Sequence, residues 1–131
     1  MKLEKTNLED CFILSPKVFE DERGTFSETF NAKNFLDQTG IAVTFVQDNQ
    51  STSKYGVVRG LHFQTGVHGQ AKLVRVVKGS ALDVVVDLRK GSPSFGKSFS
   101  IVLSGENKKQ LFVPRGFAHG FSVLEDDTVF A

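Results

Sequence analysis

The sequence predicts an all-β domain, a sandwich or barrel carrying one short helix. Three observations predict it. Short β-branched or aromatic runs recur along the chain at close spacing, and glycine, asparagine or Ser-Pro turns separate them. Only one stretch, Ala32 to Thr39, reads as helix, and Gly40 ends it.

Taken in order, the candidate strands are Phe12 to Leu14, Gly24 to Phe30, Val43 to Ser51, Val57 to Phe63, Ala71 to Val77, Ala81 to Asp87, Ser98 to Leu103 and Gln110 to Val113. Phe121 to Leu124 and Thr128 to Phe130 complete the set. Ala71 to Val77 and Ser80 to Leu88 flank Lys78-Gly79, which reads as a two-residue hairpin turn with glycine supplying the positive φ. In that register Lys72 opposes Val85 and Val74 opposes Asp83. Pleating then places Lys72, Asp83, Val85 and Asp87 on one face and Leu82, Val84, Val86 and Leu88 on the other. The second face reads as core. The first suits a polar barrel interior or a solvated face, and the hairpin alone favours the solvated one.

A chain of 131 residues without internal repeat, low-complexity tract or linker is read as one domain, residues 1–131, long enough for a real core. The net charge of +1 supplies no overall field for nucleic acid or a membrane, so anion binding must come from local arginines and lysines. The single cysteine, Cys11, excludes an internal disulfide. The charged start is unlike a signal peptide and no apolar run approaches membrane-spanning length, so a cytoplasmic location is expected. Thirteen phenylalanines against one tyrosine and no tryptophan give material for a core but few phenolic proton donors.

Pro114-Arg-Gly116-Phe-Ala-His119 is similar to the second metal-binding motif of cupin barrels, Pro-x-Gly-x-x-His. The first motif is altered. His62 is followed two residues on by Gln64 where a second histidine would stand, and Lys72 holds the glutamate ligand position. A protonated ammonium cannot ligate a divalent metal and repels one, so neither metal nor cofactor is expected. A base, His62, beside a fixed cation, Lys72, suits removal of a proton next to a carbonyl: the imidazole takes the proton and the ammonium stabilises the enolate oxygen. Read alone, the pair is more readily a core histidine, His62, and a surface lysine, Lys72.

Three further blocks change that balance: Arg23-Gly-Thr-Phe26-Ser-Glu28, Gln47-Asp48-Asn49-Gln-Ser51 and Gly56-Val-Val-Arg59-Gly-Leu-His62-Phe-Gln64. Gln70-Ala-Lys72-Leu-Val, Asp83-Val-Val-Val-Asp87-Leu-Arg and Pro114 to Phe121 continue them. In order and spacing, from about Cys11 to the last residue, these blocks resemble the dTDP-4-dehydrorhamnose 3,5-epimerases. The resemblance implies a cupin-type β-barrel, or jelly roll. It also implies inversion at C3 and C5 of dTDP-4-dehydro-6-deoxy-D-glucose, where the C4 ketone acidifies both neighbouring protons.

By the same resemblance His62 is the base and Lys72 the enolate stabiliser. His119 contacts the sugar, with Asp83 expected to hold it from a shared inward position. Arg23 and Arg59 are pyrophosphate ligands, since guanidinium forks match phosphate oxygens in pairs. Phe26 stacks on thymine, and Glu28, Gln47, Asp48 and Asn49 bind base, sugar or phosphate. Family members exchange strands between subunits to complete each site, so the expected partners are a dTDP-linked 4-keto-6-deoxy sugar and a second copy of the chain.

His68, Cys11, the Lys108-Lys109 pair and the Glu125-Asp126-Asp127 run read as loop, packing and turn residues. Members of the family continue past position 131 and there supply a tyrosine acid and an aspartate that orients the base. The chain is therefore expected to lack that C-terminal segment and to be impaired in turnover; Tyr55 does not match the acid. The rival readings are a single-position epimerase or ketoisomerase on the same barrel, and a non-catalytic nucleotide-sugar-binding module. The second predicts binding without loss of the C3 or C5 proton. A metal-dependent cupin oxygenase is a third, opposed by Lys72.

Overall fold

A computed structural model describes residues 1–45, 47–63 and 70–131. Its strands are β1 (Lys2–Lys5), β2 (Phe12–Ser15), β3 (Val18–Asp21), β4 (Gly24–Ser27), β5 (Ser51–Ser53), β6 (Val58–His62), β7 (Lys72–Lys78), β8 (Ser80–Asp87), β9 (Ser98–Ser104), β10 (Gln110–Val113), β11 (Phe117–Val123) and β12 (Thr128–Phe130). The one helix among the described residues, α1, covers Ala32–Thr39. Asn31 caps it through a hydrogen bond from the Asn34 N–H, and Gly40 closes it in the left-handed region at φ 74°.

Two antiparallel sheets face each other. One has the order β1-β2-β10-β7-β12-β5, the other β6-β11-β8-β9. Between them lies the larger core, including Leu8, Val74, Val76, Ala81, Val85, Leu103, Leu111 and Phe117. A second core sits outside the six-stranded sheet, where Phe35 of α1 packs on Phe12, Leu14 and Phe112, with Ile41 and Val43 beside it. Phe35 and Phe112 meet with ring centroids 4.8 Å apart. β3 and β4 pair only with each other, forming a two-stranded arm that stands off both sheets. At its base the buried Gln110 donates from Nε2 to the Thr29 carbonyl, 2.8 Å away.

The structure corrects three expectations. β7 and β8 are not a hairpin: β7 pairs with β10 and β12, whereas β8 pairs with β9 and β11. Lys78 to Ser80 is therefore the corner at which the chain leaves one sheet for the other. The predicted solvated face is the interior, since Asp83, Val85 and Asp87 are fully buried, and the predicted core row of Leu82, Val84 and Val86 is only half-buried on the outside. The run from Val43 to Gln50 is irregular where described, and only Ser51–Ser53 forms a strand there. Gln64 and His68 lie outside the described residues. None of the helices among the described residues is long and apolar enough to cross a membrane.

Candidate active site

Strand alternation gathers the polar residues inside the barrel. Val74 and Val76 of β7 belong to the core between the sheets while Leu73 belongs to the outer one, so Lys72 shares the inward face. On the opposite wall His62 of β6 is the direct partner of His119 on β11, and His119 is the partner of Val85 on β8. Direct cross-strand partners point to the same side with Cβ atoms about 5 Å apart, so the two imidazoles are neighbours on one inner face. His62 is exposed, Lys72 half-buried and His119 buried, a gradient from mouth to floor.

The floor is held by Asp83. Its Oδ1 lies 2.6 Å from His119 Nε2, and its side chain is fully buried. This is the pairing expected from the sequence. The second oxygen, Oδ2, is buried without a hydrogen-bond partner among the described residues. Burial pushes the Asp83 carboxyl above its ordinary range, and the hydrogen bond and charge of His119, then the charge of Lys72, pull it back only in part. Phe121 and Phe130 stack with centroids 3.9 Å apart, and both rings lie about 6 Å from His119. The interior thus combines one accessible imidazole, one ammonium and one buried imidazole–carboxylate pair on apolar walls. That set can take a proton from an acidic C–H and stabilise the anion left behind.

Arg59 stands opposite Phe121, three residues before His62. Its Nε and Nη2 donate to the Ser53 hydroxyl at 3.3 and 3.0 Å, which aims an otherwise exposed guanidinium along the mouth. Ser53 is buried, and nothing in the sequence singles it out. Gln47, Asp48 and Asn49 are exposed on the irregular approach to β5, with Gln47 Nε2 donating to Asn49 Oδ1 at 3.2 Å. One concavity, about 520 Å³, lies between residues 41–45 and the β10 side; of the predicted site residues it touches only Gln47. Geometry and residue chemistry therefore place the candidate site in the barrel mouth rather than in that groove.

The remaining predicted ligands are elsewhere. Arg23, Phe26 and Glu28 lie on or just after the β3–β4 arm and are exposed, Phe26 at 71 %. Arg23 forms a two-point pair with Asp21, at 3.2 Å from Nε and 2.8 Å from Nη2, and these bonds hold the Asp21 carboxyl below its ordinary range. Among the described residues no cluster of three or more histidine, cysteine or acidic side chains could hold a metal ion. Cys11 is buried, and loss of hydration pushes its thiol up to about 12, which leaves it no nucleophile.

The family model described as dTDP-4-dehydrorhamnose 3,5-epimerase matches residues 5–131. The dTDP-4-dehydrorhamnose 3,5-epimerase of Shigella flexneri is 55 % identical over 130 residues, covering 99 % of this chain and 72 % of that protein. The crystal structure of the Elizabethkingia anophelis enzyme of that name is 58 % identical with a TM-score of 0.95, covering 99 % of this chain and 71 % of its own. A Legionella pneumophila dTDP-6-deoxy-D-glucose-3,5-epimerase, solved in complex with dTDP-4-keto-L-rhamnose, is 48 % identical with a TM-score of 0.93. Those matches cover 98 % of this chain and 68 % of the Legionella chain.

Proposed function

The chain belongs to the dTDP-4-dehydrorhamnose 3,5-epimerase family, and from that premise we propose that its barrel mouth inverts C3 and C5 of dTDP-4-dehydro-6-deoxy-D-glucose, giving dTDP-4-dehydro-L-rhamnose. The observation that carries this is the inward set of His62, Lys72 and the His119–Asp83 pair in a largely apolar interior. His62 removes the proton at C3 or C5. The C–H electrons form the C=C bond of the enolate, and the carbonyl pair moves onto the C4 oxygen. Lys72 faces that oxygen as an ammonium and stabilises the charge. His119, fixed through Nε2, orients the sugar.

Inversion then requires a proton delivered to the opposite face of the ring. Tyr55, the one tyrosine of the sequence, stands 70 % exposed between β5 and β6 and does not fill that role. Arg59, aimed by Ser53, supports a pyrophosphate at the mouth.

The arm is read as part of a second copy's site. Among the described residues its two strands pair with no other strand, and its apolar and basic residues, Phe19, Phe26 and Arg23, face solvent. The outer edge of β6, beside Arg59 and His62, is likewise unpaired among the described residues. A homodimer that places each arm across its partner's mouth satisfies both.

Proton NMR of the substrate in heavy water tests the reaction. Loss of the C3 or C5 signal above the background rate, abolished by His62→Ala, is expected. Nucleotide binding without exchange would leave a binding module instead. Mixing His62→Ala and Arg23→Ala proteins tests the arm: exchange returning to about a quarter of the wild-type rate is expected from statistical pairing, because one mixed site in two keeps both side chains. No recovery would place the arm in its own chain's site.

A further inference from the structure

Arg59 and His62 lie three residues apart on β6, and both face the interior. A regular strand forbids that, because side chains alternate between its faces and an odd separation sends one of the two outward. Arg59 faces inward on two counts. It stands opposite Phe121, whose ring packs on the core between the sheets, and it reaches Ser53 on β5 of the facing sheet. His62 stands opposite His119, whose ring is bonded to the buried Asp83.

The register shows how both are met. Between Phe121 and His119 the partner strand β11 has one residue, Gly120, whereas β6 has two, Gly60 and Leu61, and the pairing shifts there. β6 therefore carries a bulge. The extra residue returns His62 to the inner face and brings its Cα to roughly 7 Å from that of Arg59, instead of roughly 10 Å.

Glycine stands on both sides of the bulge, and neither place has room for a methyl group. A Cβ on Gly60 would lie 2.7 Å from the His119 carbonyl oxygen and 2.8 Å from the Gly120 Cα. A Cβ on Gly120 would lie 2.8 Å from the Arg59 carbonyl oxygen and 3.2 Å from Leu61 Cδ2. Gly60 also has φ 99°, where L side chains are strained. The oxygens in the way belong to Arg59 and His119, so a side chain at either glycine displaces the site itself.

We propose that Gly60 and Gly120 are positioning residues of the epimerisation, whose contact fixes the spacing between the anion ligand Arg59 and the base His62. The inference rests on the roles proposed above for those two side chains. Substrate chemistry explains why one spacing suffices. C3 and C5 are each two bonds from C1, the carbon that bears the diphosphate. A base held at one distance from that anion therefore meets either proton after a small turn of the sugar. Misplacing it by about 1 Å costs such a step about a hundredfold.

The test is Gly120→Ala in the full chain, read by dTDP affinity in calorimetry and by proton exchange at saturating substrate in heavy water. The variant is expected to fold, because β6 is an edge strand among the described residues and can yield outward. Ordinary contact requires the Arg59 carbonyl to retreat from 2.8 to 3.4 Å. The guanidinium, on a long stem fastened at its tip by Ser53, follows the anion; the imidazole, on a short stem, moves with its backbone. Exchange is therefore expected to fall at least about tenfold while dTDP affinity stays within about threefold of wild type.

A smaller fall in exchange would overturn the proposal. So would an equal loss of dTDP affinity, which marks a merely structural glycine. Should Gly120→Ala fail to fold, Gly120→Ala with Leu61→Ala takes its place, because the second contact is then removed, and the same two readouts decide. No exchange by the wild type would overturn the epimerase reading and this inference with it. Exchange by the wild type that Gly120→Ala retains would overturn this inference alone.

Discussion

Asp83 and Asp87 stand four residues apart on β8, point the same way and are both fully buried, yet they are treated oppositely. Asp87 is saturated. Its Oδ1 accepts from the Arg89 backbone N–H at 2.9 Å and from Arg89 Nε at 3.1 Å. Its Oδ2 accepts from Ser92 at 2.6 Å, Ser94 at 2.5 Å and Arg89 Nη2 at 3.2 Å. Arg89 continues to Asp10 and the Glu9 carbonyl, so the cluster ties the amino-terminal segment across this end of the barrel.

Among the described residues Asp83 has one partner, His119, and an orphaned oxygen. Burial raises both carboxyls. At Asp87 the Arg89, Ser92 and Ser94 hydrogen bonds outweigh it and hold the group well below the usual range, while at Asp83 burial prevails. A buried carboxylate with every lone pair answered is a fastening. One left half-answered beside an imidazole and an ammonium is the pattern of a functional group rather than a fastening, and its environment is worse for stability.

The largest effect that would sharpen this contrast is at Asp87. Asp87→Ala strips Arg89 of its buried partner and is expected to lower unfolding stability by about 3–5 kcal/mol in urea titrations. Ser94→Ala removes a hydrogen bond to a charged acceptor and the one that Ser94 Oγ accepts from the Glu9 N–H at 2.9 Å, and should cost about 1.5–3 kcal/mol. Asp83→Asn keeps a hydrogen-bonding group toward His119 and removes a buried charge, so its cost is expected below about 1.5 kcal/mol, with proton exchange of the substrate reduced far more than folding. Equal destabilisation at the two aspartates would dissolve the distinction.

The smallest effect is in the pH dependence, and its sign differs between the two. Asp87, depressed in the fold, contributes stability that is present above the unfolded carboxyl's pKa of about 4 and is lost as pH falls through its lower folded value. Asp83, raised in the fold, does the reverse: stability is fullest below about pH 4 and declines as pH rises through its folded value. Unfolding curves of wild type and Asp83→Asn should therefore separate in favour of the variant as pH rises from about 4. Parallel curves would show that Asp83 is not raised.

Much of this was legible beforehand, and the failures share a cause. The helix from Ala32 to Thr39, the strand Gln110 to Val113 and the partnership of Asp83 with His119 were all read from the sequence. A cap, a bounded apolar run and an ordered set of motifs are local or pattern-borne signals. The Lys78-Gly79 hairpin was misread because a corner and a hairpin ask the same of a glycine. What separates them is pairing with β10, β11 and β12, far along the chain.

The polar face of β8 was assigned to solvent for a related reason. Alternation shows that two faces differ but not which one is inside, and two aspartates outvote a valine until Arg89, Ser92 and Ser94 are seen to answer one of them. β1 and β3 were missed because Lys2–Lys5 and Val18–Asp21 carry charge or exposure that no strand signature anticipates. Ser53, aiming Arg59, is one hydroxyl among many.

The corner at Gly79 has a mechanical consequence. It joins the strand that carries Lys72 to the strand that carries Asp83, so the cation and the buried anion sit on the two arms of one lever. Gly79 has φ 86°, and a methyl group there would strike the Thr128 side chain. That side chain is itself fastened to the Glu125 carbonyl at 2.8 Å. Lys72 lies seven residues from this fulcrum, roughly 23 Å along the strand, so a tilt of about 10° would carry its ammonium roughly 4 Å. Pairing with Val113 fixes the Lys72 end of that strand, and the clearance between Gly79 and Thr128 fixes the other.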